Sequence, residues 1–479
     1  MGDFPASTLT ENCCKVIPRI AIEKRLSILK PRWYNGFGKQ SGQEMATNEV
    51  RFSMSQTLLP FKLGETQDCI TAHAGLALFG EFLLSLGLLD ALDRHLPPPG
   101  SPRGFLPSEF IQPLLLMLHG GGQTLEDLRM IRLDSALQTI LEIERVPSSD
   151  ATGDWLRRMA KKGKGLRGLK KVGDELLRRG LNQESIDSYT LDIDATQIVS
   201  EKVDARKTYK GETGYMPLVG HLAENGLVMH DEFRDGNDCP QSRNLEFIQT
   251  CQKRLPKGKR IAAFRSDSAA YQAEIINFCE AEKISFAIGG DLDVAVRNAI
   301  KGIPEDQWKP HGSGQIAETV HSMIETKKAF RIIVIRRRVQ VMLDGTVQET
   351  DRYKVIATNL VGTPKEVEQW YNQRGETSEN RIKDLKLGFG MDRMPCGTKS
   401  ANAVFFRIGV LAYNLFQLFK TWALPPAYQR HTIATIRWQL YALPGKVVRH
   451  AGNLIVKLHT WARSMFAKIR DTYHELAWT

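Results

Sequence analysis

The pattern of apolar and polar positions changes along the chain and predicts segments of different structure. Residues 1–60 mix charged residues, Gly and Pro without sustained periodicity, which is typical of an N-terminal extension or flexible arm. From 61 to 185, long apolar stretches are broken by "PPPGSPRG" (97–104) and "HGGG" (119–122), which predicts a helical domain.

The pattern becomes strand-like after residue 186. "SYTLDIDATQIVS" (188–200) alternates and carries β-branched residues, and "MPLVGHLAENGLVMHDEF" (216–233) reads as two strands joined by "ENG". Two helices and two short strands follow, with the strands at "IAAFR" (261–265) and "SFAIGG" (285–290). The order of elements over 186–290 is three strands, helix, strand, helix and strand. This order predicts an α/β mixed sheet with helices on its faces.

A second β-rich block is predicted over residues 291–360. "AFRIIVIRR" (329–337), "VQVML" (339–343) and "YKVIATNL" (353–360) read as antiparallel strands, with a turn at "DG" between the last two. We interpret this block as an insertion into the α/β core.

Helical structure returns at "TPKEVEQWYNQR". Thr363 is the predicted N-cap, and Glu366 completes a capping box with it. We expect this helix to end near Gly375, a favourable residue after a helix C-terminus. A second helix, or a continuation past a kink, is then expected from Thr377 or Ser378.

The composition adds a strong positive charge to this picture. The 479 residues include 65 Lys and Arg against 54 Asp and Glu, a net charge of +11. Residues 155–180 hold ten Lys or Arg and two acids, and residues 401–479 hold the same numbers. Such segments favour a polyanionic partner, with a basic but inert surface as the alternative. We expect a basic C-terminal region over 426–479.

Two apolar runs and the cysteines indicate in which cellular compartment the protein is expected. The runs at 76–92 and 404–419 are interrupted by Glu81 and Arg407 and are shorter than the roughly 20 residues of a membrane span. We therefore expect buried helices and no membrane association. The seven cysteines are scattered, and the start of the chain shows no secretory signal, so reduced thiols in a cytoplasmic protein are expected.

Acidic residues on the predicted strands are the first candidates for chemistry. Asp192 and Asp194 are two apart, so their side chains point to the same face of a strand. A buried carboxylate is costly unless a cation compensates it. Asp267 follows another short strand, where side chains of neighbouring strands converge; the alternative is an N-cap of the next helix.

Cations surround a third acid in "YNQRGETSENRIKDLK" (371–386). Tyr371 and Arg374 are three apart and share a helix face, whereas Glu379, Lys383 and Lys386 follow i, i+4, i+7 spacing. A solvated Glu–Lys pair explains that spacing. It does not explain the Tyr and Arg upstream or the acids on the strands.

Together these features resemble the RNase H-like core of DDE transposases. "Tyr-x2-Arg…Glu-x3-Lys-x2-Lys" is similar to the YREK signature of bacterial insertion-sequence transposases, the group that cuts and pastes through DNA hairpins. The resemblance covers about 186–420 and is weaker in the helical part before it. It implies an α/β fold: an RNase H-like core with a β-rich insertion, a helical DNA-end-binding domain before it, and a basic C-terminal region after it. Residues 361–425 would return to the core and contain the helix that carries the catalytic Glu.

Carried over residue by residue, the resemblance implies three catalytic and metal-binding carboxylates: Asp194, Asp267 and Glu379. It implies four side chains that contact DNA: Tyr371, Arg374, Lys383 and Lys386.

One departure from the signature keeps alternatives open. Four residues, "GETS", separate Arg374 from Glu379, where the usual pattern has three. Glu376 therefore stays a minor alternative for the third carboxylate, and Asp192 is the alternative for the first. Only Glu379 has lysines at both +4 and +7, and the "AT" after Asp194 favours that Asp.

The resemblance also implies cofactors and partners. Two Mg²⁺ ions, for which Mn²⁺ can substitute, would serve cleavage and strand transfer on double-stranded DNA, both at terminal inverted repeats and at the target. A homodimer on DNA is expected, in the bacterial cytoplasm and on the nucleoid when bound. The β insertion would help to handle a hairpin, with Trp308 stacking on a displaced base. The alternatives are a catalytically silent DNA-binding protein and an RNase H-like nuclease without strand transfer.

Overall fold

The computed structural model describes residues 63–343 and 346–477. The predicted extension at 1–60 and the predicted "DG" turn lie outside the described residues. From Thr66 onward the chain forms one compact unit.

The first part of this unit is helical, as predicted from its apolar stretches. A short strand, β1 (Cys69–Thr71), precedes the helices. They are α1 (Ala74–Ser85), α2 (Leu88–His95), α3 (Pro107–Gly120), α4 (Arg129–Arg132), α5 (Ser135–Leu141), α6 (Ser149–Ala160) and α7 (Lys164–Asn182). The "HGGG" stretch ends α3, because Gly121 adopts φ 106°, a left-handed conformation that favours glycine.

A mixed sheet follows, in the order expected of an RNase H-like core. Its strands and helices are β2 (Ser188–Ala195), β6 (Leu218–Leu222), β7 (Val228–Glu232), α8 (Asn244–Arg254), β8 (Arg260–Ser266), α9 (Ala273–Glu282) and β9 (Ser285–Gly289). The spatial order is β7-β6-β2-β8-β9. Strands β2, β8, β9 and β7 run in one direction, and β6, which pairs antiparallel with both β2 and β7, runs in the other. The predicted α/β core is therefore confirmed. Between β2 and β6, a small separate sheet contains β3 (Ile198–Val199), β4 (Arg206–Lys207) and β5 (Thr213–Tyr215).

The β-rich block extends this same sheet. Its elements are α10 (Val294–Lys301), β10 (Lys309–His311), β11 (Gly314–His321), β12 (Phe330–Leu343) and β13 (Thr346–Thr358). Because β13 pairs antiparallel with β9, the result is one nine-stranded sheet. The prediction of separate strands at 329–337 and 339–343 was wrong, since β12 runs through both. Strands β10 and β11 were not predicted.

The helix that carries Glu379 does not end at Gly375. It begins with α11 (Pro364–Arg374), continues through a π-helical turn (Gly375–Glu379) into α12 (Asn380–Lys383), and passes through a second π turn (Asp384–Gly388). Gly375 has φ −55° and ψ −42°, which are helical values. The expected helix end was therefore wrong and the alternative, a continuation, is confirmed. The capping box at Thr363 and Glu366 is present.

The C-terminal part folds back onto the N-terminal helices. It comprises α13 (Lys399–Trp422), α14 (Ile433–Ile436), β14 (Gly445–His450), β15 (Asn453–Lys457) and α15 (Thr460–Ala477). Strand β14 pairs antiparallel with both β1 and β15, and Arg470 of α15 forms an ion pair with Glu81 of α1.

Among the residues that the structure describes, two parts have the length and apolar composition of a membrane span. One is α13, and the other is α1 with α2, which meet at a bend of 58°. In α13 the most apolar window is 89% buried inside the protein, as expected from the sequence. The apolar core is continuous from the N-terminal helices into the sheet, so the predicted domains share one core.

Candidate active site

Strand pairing places Asp194 and Asp267 at neighbouring positions. Strands β2 and β8 are parallel, with Asp192 opposite Arg265 and Ile193 opposite Ser266. The next residues in this register are Asp194 and Asp267. Adjacent strands are about 4.8 Å apart, so both carboxylates lie at the carboxyl ends of two central strands.

Asp194 lies in a mostly buried and strongly charged environment. Its side chain is 19% exposed, and its Oδ2 forms an ion pair with Arg374 Nη2 at 3.3 Å. Burial raises the pKa of Asp194 to about 7, against the opposing effect of Arg374. The negative charges of Asp267 and Glu379 contribute to this raised pKa. Both of the other predicted carboxylates therefore act electrostatically on Asp194.

Asp267 also caps the turn that follows its strand. Its Oδ1 accepts a hydrogen bond from the Ala269 backbone at 3.1 Å, at the start of a 3₁₀ turn (Ser268–Ala270). The capping role that the sequence left open is thus present. It fixes the carboxylate next to Asp194, so the two interpretations of Asp267 are compatible.

Helix α11 delivers Tyr371 and Arg374 to the same place, as their three-residue spacing predicts. Both side chains are buried, the Tyr371 hydroxyl lies next to the Arg374 guanidinium, and burial raises the pKa of this phenol. A Cβ at position 289 would lie 2.9 Å from the Tyr371 hydroxyl, so the end of β9 requires Gly289. Lys354 Nζ lies 5.0 Å from the centre of the Tyr371 ring.

The π turn accommodates the extra residue between Arg374 and Glu379. In an α-helix, residues five apart point about 140° away from each other, since each residue turns by about 100°. Here the Asn380 N–H donates to the Gly375 carbonyl, an i→i−5 bond that widens the turn by one residue. Arg374 thereby contacts Asp194 while the exposed Glu379 still acts on the same carboxylate.

The two lysines beyond Glu379 have different surroundings. Lys383 is exposed, whereas Lys386 Nζ donates to the Gln197 carbonyl at 2.6 Å, and burial lowers the pKa of Lys386. Among the described residues, no salt bridge joins Glu379 to either lysine. The solvated Glu–Lys pair is therefore not what holds these side chains, and their contact with DNA stays a prediction.

The alternative first carboxylate, Asp192, is occupied by protein partners. Its side chain is fully buried and receives hydrogen bonds from Arg265 at 2.7 and 2.9 Å and from the Thr377 hydroxyl at 2.6 Å. These bonds satisfy both oxygens, so Asp192 is less available to a metal ion than Asp194, whose role as a ligand stays a prediction. Glu376, the alternative third carboxylate, is exposed, and the charge that acts on Asp194 is that of Glu379.

Several residues of the site were missed by the sequence analysis: Arg265, Thr377, Gly289 and Lys354. Arg265 carried a usable signal, because it lies two residues before Asp267 on a strand and therefore faces the same side. The position of Lys354 depends on the pairing of β13 with β9, which the sequence pattern does not indicate. Trp308, expected to stack on a base, is only 7% exposed and lies beneath Arg336.

The donor set fits a hard divalent cation in chemistry. The three predicted carboxylates outnumber the one arginine paired with Asp194, which leaves an excess of negative charge and oxygen donors, the ligands that Mg²⁺ and Mn²⁺ accept. Within the described ranges, however, no group of three or more His, Cys, Asp or Glu side chains is close enough to hold an ion as it stands. Binding by all three carboxylates requires movement of at least one side chain.

An RNase H-like sheet with acids at the ends of its first and fourth strands is the arrangement expected of the DDE class of transposases. Residues 63–476 match the family model described as transposase DDE domain group 1, and the chain belongs to this family. The predicted DDE transposase is thus confirmed at the level of the family.

No curated protein matches the chain. Among solved structures, it is similar to the cryo-EM structure of a piggyBac transposase synaptic complex with hairpin DNA. The identity is 11%, the match covers 86% of this chain and 83% of that chain, and the TM-score is 0.41.

Proposed function

We propose that this protein is the transposase of a bacterial insertion sequence with a YREK signature. It cleaves DNA at the terminal inverted repeats of its element and transfers the strands to target DNA. One observation carries the proposal: the strand register places Asp194 beside Asp267, and Arg374, from the helix that bears Glu379, is paired with Asp194.

The three carboxylates Asp194, Asp267 and Glu379 would hold two Mg²⁺ ions, for which Mn²⁺ can substitute. Such ions activate the attacking oxygen and stabilise the leaving oxygen of a phosphodiester. The protein contributes the alignment. Asp194 is fixed by its strand, Asp267 by its capping bond, and Glu379 by the helix that packs over the sheet.

The cations near these acids would orient the DNA backbone. Lys383 is exposed one turn after Glu379 and is free to contact a phosphate. Arg374 and Lys386 are engaged with the Asp194 carboxylate and the Gln197 carbonyl, so contact with phosphate requires them to exchange these partners. Arg374 Nε has no hydrogen-bond partner among the described residues, so this guanidinium is incompletely satisfied. Tyr371 supports it from the adjacent position.

Double-stranded DNA is the partner that the charge distribution fits. The net charge of +11 and the basic segments at 155–180 and 401–479 supply sequence-independent attraction to phosphates. The helical N-terminal part would read the inverted repeats. Bringing two ends together implies a homodimer on DNA, and the site of action would be the bacterial cytoplasm.

Cleavage of a labelled element end tests this function directly. Purified protein is incubated with the end and Mg²⁺, and nicks, hairpins and joined products are mapped on a denaturing gel. Wild type is expected to cut at the end of the repeat. Asp267→Ala is expected to lose cleavage while it retains DNA binding, because the substitution removes a metal ligand.

A matched pair of acids on one turn provides the control. Glu379→Ala should abolish cleavage, whereas Glu376→Ala, three residues earlier on the exposed surface, should not. Wild type that binds ends and never cuts them would indicate the silent DNA-binding alternative. Cleavage without any joining to target DNA would indicate a nuclease of the same fold.

A further inference from the structure

A second set of three side chains lies one step behind the three carboxylates. Asp192, Arg265 and Thr377 each precede one of them by exactly two residues: Asp194, Asp267 and Glu379, respectively. On the two strands, a separation of two residues means the same face of the sheet, so Asp192 and Arg265 lie one step behind Asp194 and Asp267. On the helix, residues two apart point in different directions, so Thr377 contacts Asp192 while Glu379 is exposed. We call Asp192, Arg265 and Thr377 the inner layer.

The three side chains of the inner layer are hydrogen-bonded to one another. Arg265 donates from Nε to Asp192 Oδ1 at 2.7 Å and from Nη2 to Asp192 Oδ2 at 2.9 Å. The same Nη2 donates to the Thr377 hydroxyl at 3.0 Å, and that hydroxyl donates to Asp192 Oδ2 at 2.6 Å. The network is closed, since each member contacts the other two.

Arg265 also binds helix α11 to the sheet. Its Nη1 donates to the Trp370 carbonyl at 2.8 Å, and its guanidinium lies 4.9 Å from the centre of the Trp370 ring. Arg265 and Asp192 are 1% and 0% exposed. A buried ion pair holds its geometry closely, because any displacement leaves a charge without a partner at high cost.

The layer joins the three elements that carry the outer carboxylates. Asp192 fixes β2, Arg265 fixes β8, and Thr377 fixes the π turn, in which Glu379 lies two residues further on. A π turn lacks the regular i→i−4 bonds that hold an α-helix rigid, so an external anchor at this point has a direct effect on Glu379.

We propose that Asp192, Arg265 and Thr377 form a positioning layer that sets the spacing of Asp194, Asp267 and Glu379 for metal binding. The inference rests on the proposed function, in that these three carboxylates bind the ions. The inner residues themselves touch neither metal nor DNA. They act through the outer carboxylates, as hydrogen-bond partners behind metal ligands commonly do.

Thr377 offers the cleanest test, because its removal leaves the buried Arg265–Asp192 pair intact and the fold supported. Thr377→Val replaces the hydroxyl with a methyl group, whereas Thr377→Ser keeps the hydroxyl. Mn²⁺ binding to the full-length protein is measured by calorimetry without DNA. We expect about tenfold weaker binding for Thr377→Val. Thr377→Ser should remain close to wild type.

Thr152→Val serves as the matched control for loss of a hydroxyl. Thr152 is buried in α6, and its hydroxyl donates to the Ser148 carbonyl at 2.8 Å, outside the site. The control should lower thermal stability without a change in Mn²⁺ affinity. Equal Mn²⁺ affinity in wild type and Thr377→Val would overturn the positioning layer, as would an equal loss in Thr152→Val.

The same measurements separate this inference from the proposed function. Wild type that binds Mn²⁺ through a Thr377-dependent site but never cuts DNA would overturn the transposase activity and support the layer. Wild type that cuts DNA while Thr377→Val binds Mn²⁺ normally would support the activity and overturn the layer. Wild type that binds no Mn²⁺ in the absence of DNA overturns the layer, and the cleavage assay then decides the transposase activity separately.

Discussion

At the scale of single residues, the protonation of Asp194 depends on the charges around it. Burial raises its pKa to about 7 from an ordinary value of 3.8, although Arg374 acts in the opposite direction. Between these two values the folded protein keeps a proton that the unfolded chain has lost. The contribution of Asp194 to the free energy of unfolding therefore falls as the pH rises through this interval.

This sign predicts the effect of removing the charge. In metal-free buffer, wild type should lose stability relative to Asp194→Asn as the pH rises from about 4 to about 8. The difference between their free energies of unfolding should shift in favour of the variant by up to about 4 kcal/mol. Urea denaturation at a series of pH values measures the difference. Glu376→Gln, on the exposed surface, should follow wild type, and parallel profiles for wild type and Asp194→Asn would contradict the prediction.

The sequence indicated the outer carboxylates but not what supports them. Asp194 and Asp267 are recognisable because a charged residue on or just after a buried strand needs an explanation. The bond between Arg265 and Thr377 joins residues more than 100 positions apart, and their contact depends on how α11 lies over the sheet. Local periodicity carries no information on that packing.

At the scale of elements, the π turn accommodates the one residue by which this chain departs from the YREK spacing that it resembles. An inserted residue would rotate all later side chains of an α-helix by about 100°. The wider turn at Gly375–Glu379 absorbs the rotation, so the faces before and after it keep their directions. The four-residue "GETS" segment is thus compatible with a signature that normally has three.

Deletion of Glu376 tests this explanation. The deletion restores three residues between Arg374 and Glu379, and the π turn should convert to an ordinary α-helical turn with both side chains still aligned. We expect cleavage of the element end to persist within about tenfold of wild type, since the alignment is kept. Far-UV circular dichroism and the cleavage gel measure fold and activity.

Insertion of one alanine after Glu376 is the opposite change. A second extra residue has no turn to absorb it, so Glu379 would be rotated away from Asp194 and cleavage should be lost. An inactive deletion variant with native circular dichroism, or an active insertion variant, would contradict the role assigned to the π turn.

Element prediction succeeded where periodicity was strong and failed where glycine or an edge position weakened it. The strands around Asp194 and Asp267 were found from alternation, whereas β10 and β11, short or rich in polar residues, were not. Gly375 was expected to end the helix because glycine adopts left-handed conformations without strain. That freedom permits a helix end and does not require one.

At the scale of the whole molecule, the positive charge is concentrated in places that the fold brings together. A cleft of about 740 Å³ lies between α7 and α8 and is lined by five cations and one acid: Lys170, Arg178, Lys253, Arg254, Lys257 and Asp174. Arg254 and Lys170 are paired with Asp174, whereas Lys253 and Lys257 are exposed. The predicted basic segment at 155–180 contributes one wall of this cleft.

Charge reversal in the cleft should weaken binding to DNA of any sequence. For Lys253→Glu with Lys257→Glu, we expect the slope of log affinity against log salt concentration to decrease in magnitude by about 2, because each phosphate contact contributes about 0.9. Fluorescence anisotropy with random duplex DNA at several salt concentrations measures this slope. Lys301→Glu in α10 is the control, and an unchanged slope in the double variant would exclude the cleft from DNA binding.

Strand pairing between segments that are far apart in the sequence was the least predictable feature of the fold. The pairing of β13 with β9 and of β1 with β14 creates the nine-stranded sheet and closes the C-terminal part onto the N-terminal helices. Strand pairing at such separations is set by tertiary packing, and single-sequence patterns do not encode its register. The family resemblance predicted the RNase H-like core, but it did not predict these two strand pairings.

Anomalous scattering from Mn²⁺ in crystals of the protein bound to DNA of the proposed element end tests the central claim most directly. The account predicts Mn²⁺ peaks in contact with carboxylate oxygens of Asp194, Asp267 and Glu379, next to the scissile phosphate, and their loss in crystals of Asp194→Asn. Peaks at other side chains, or three carboxylates that share no ion in the DNA-bound protein, would contradict it.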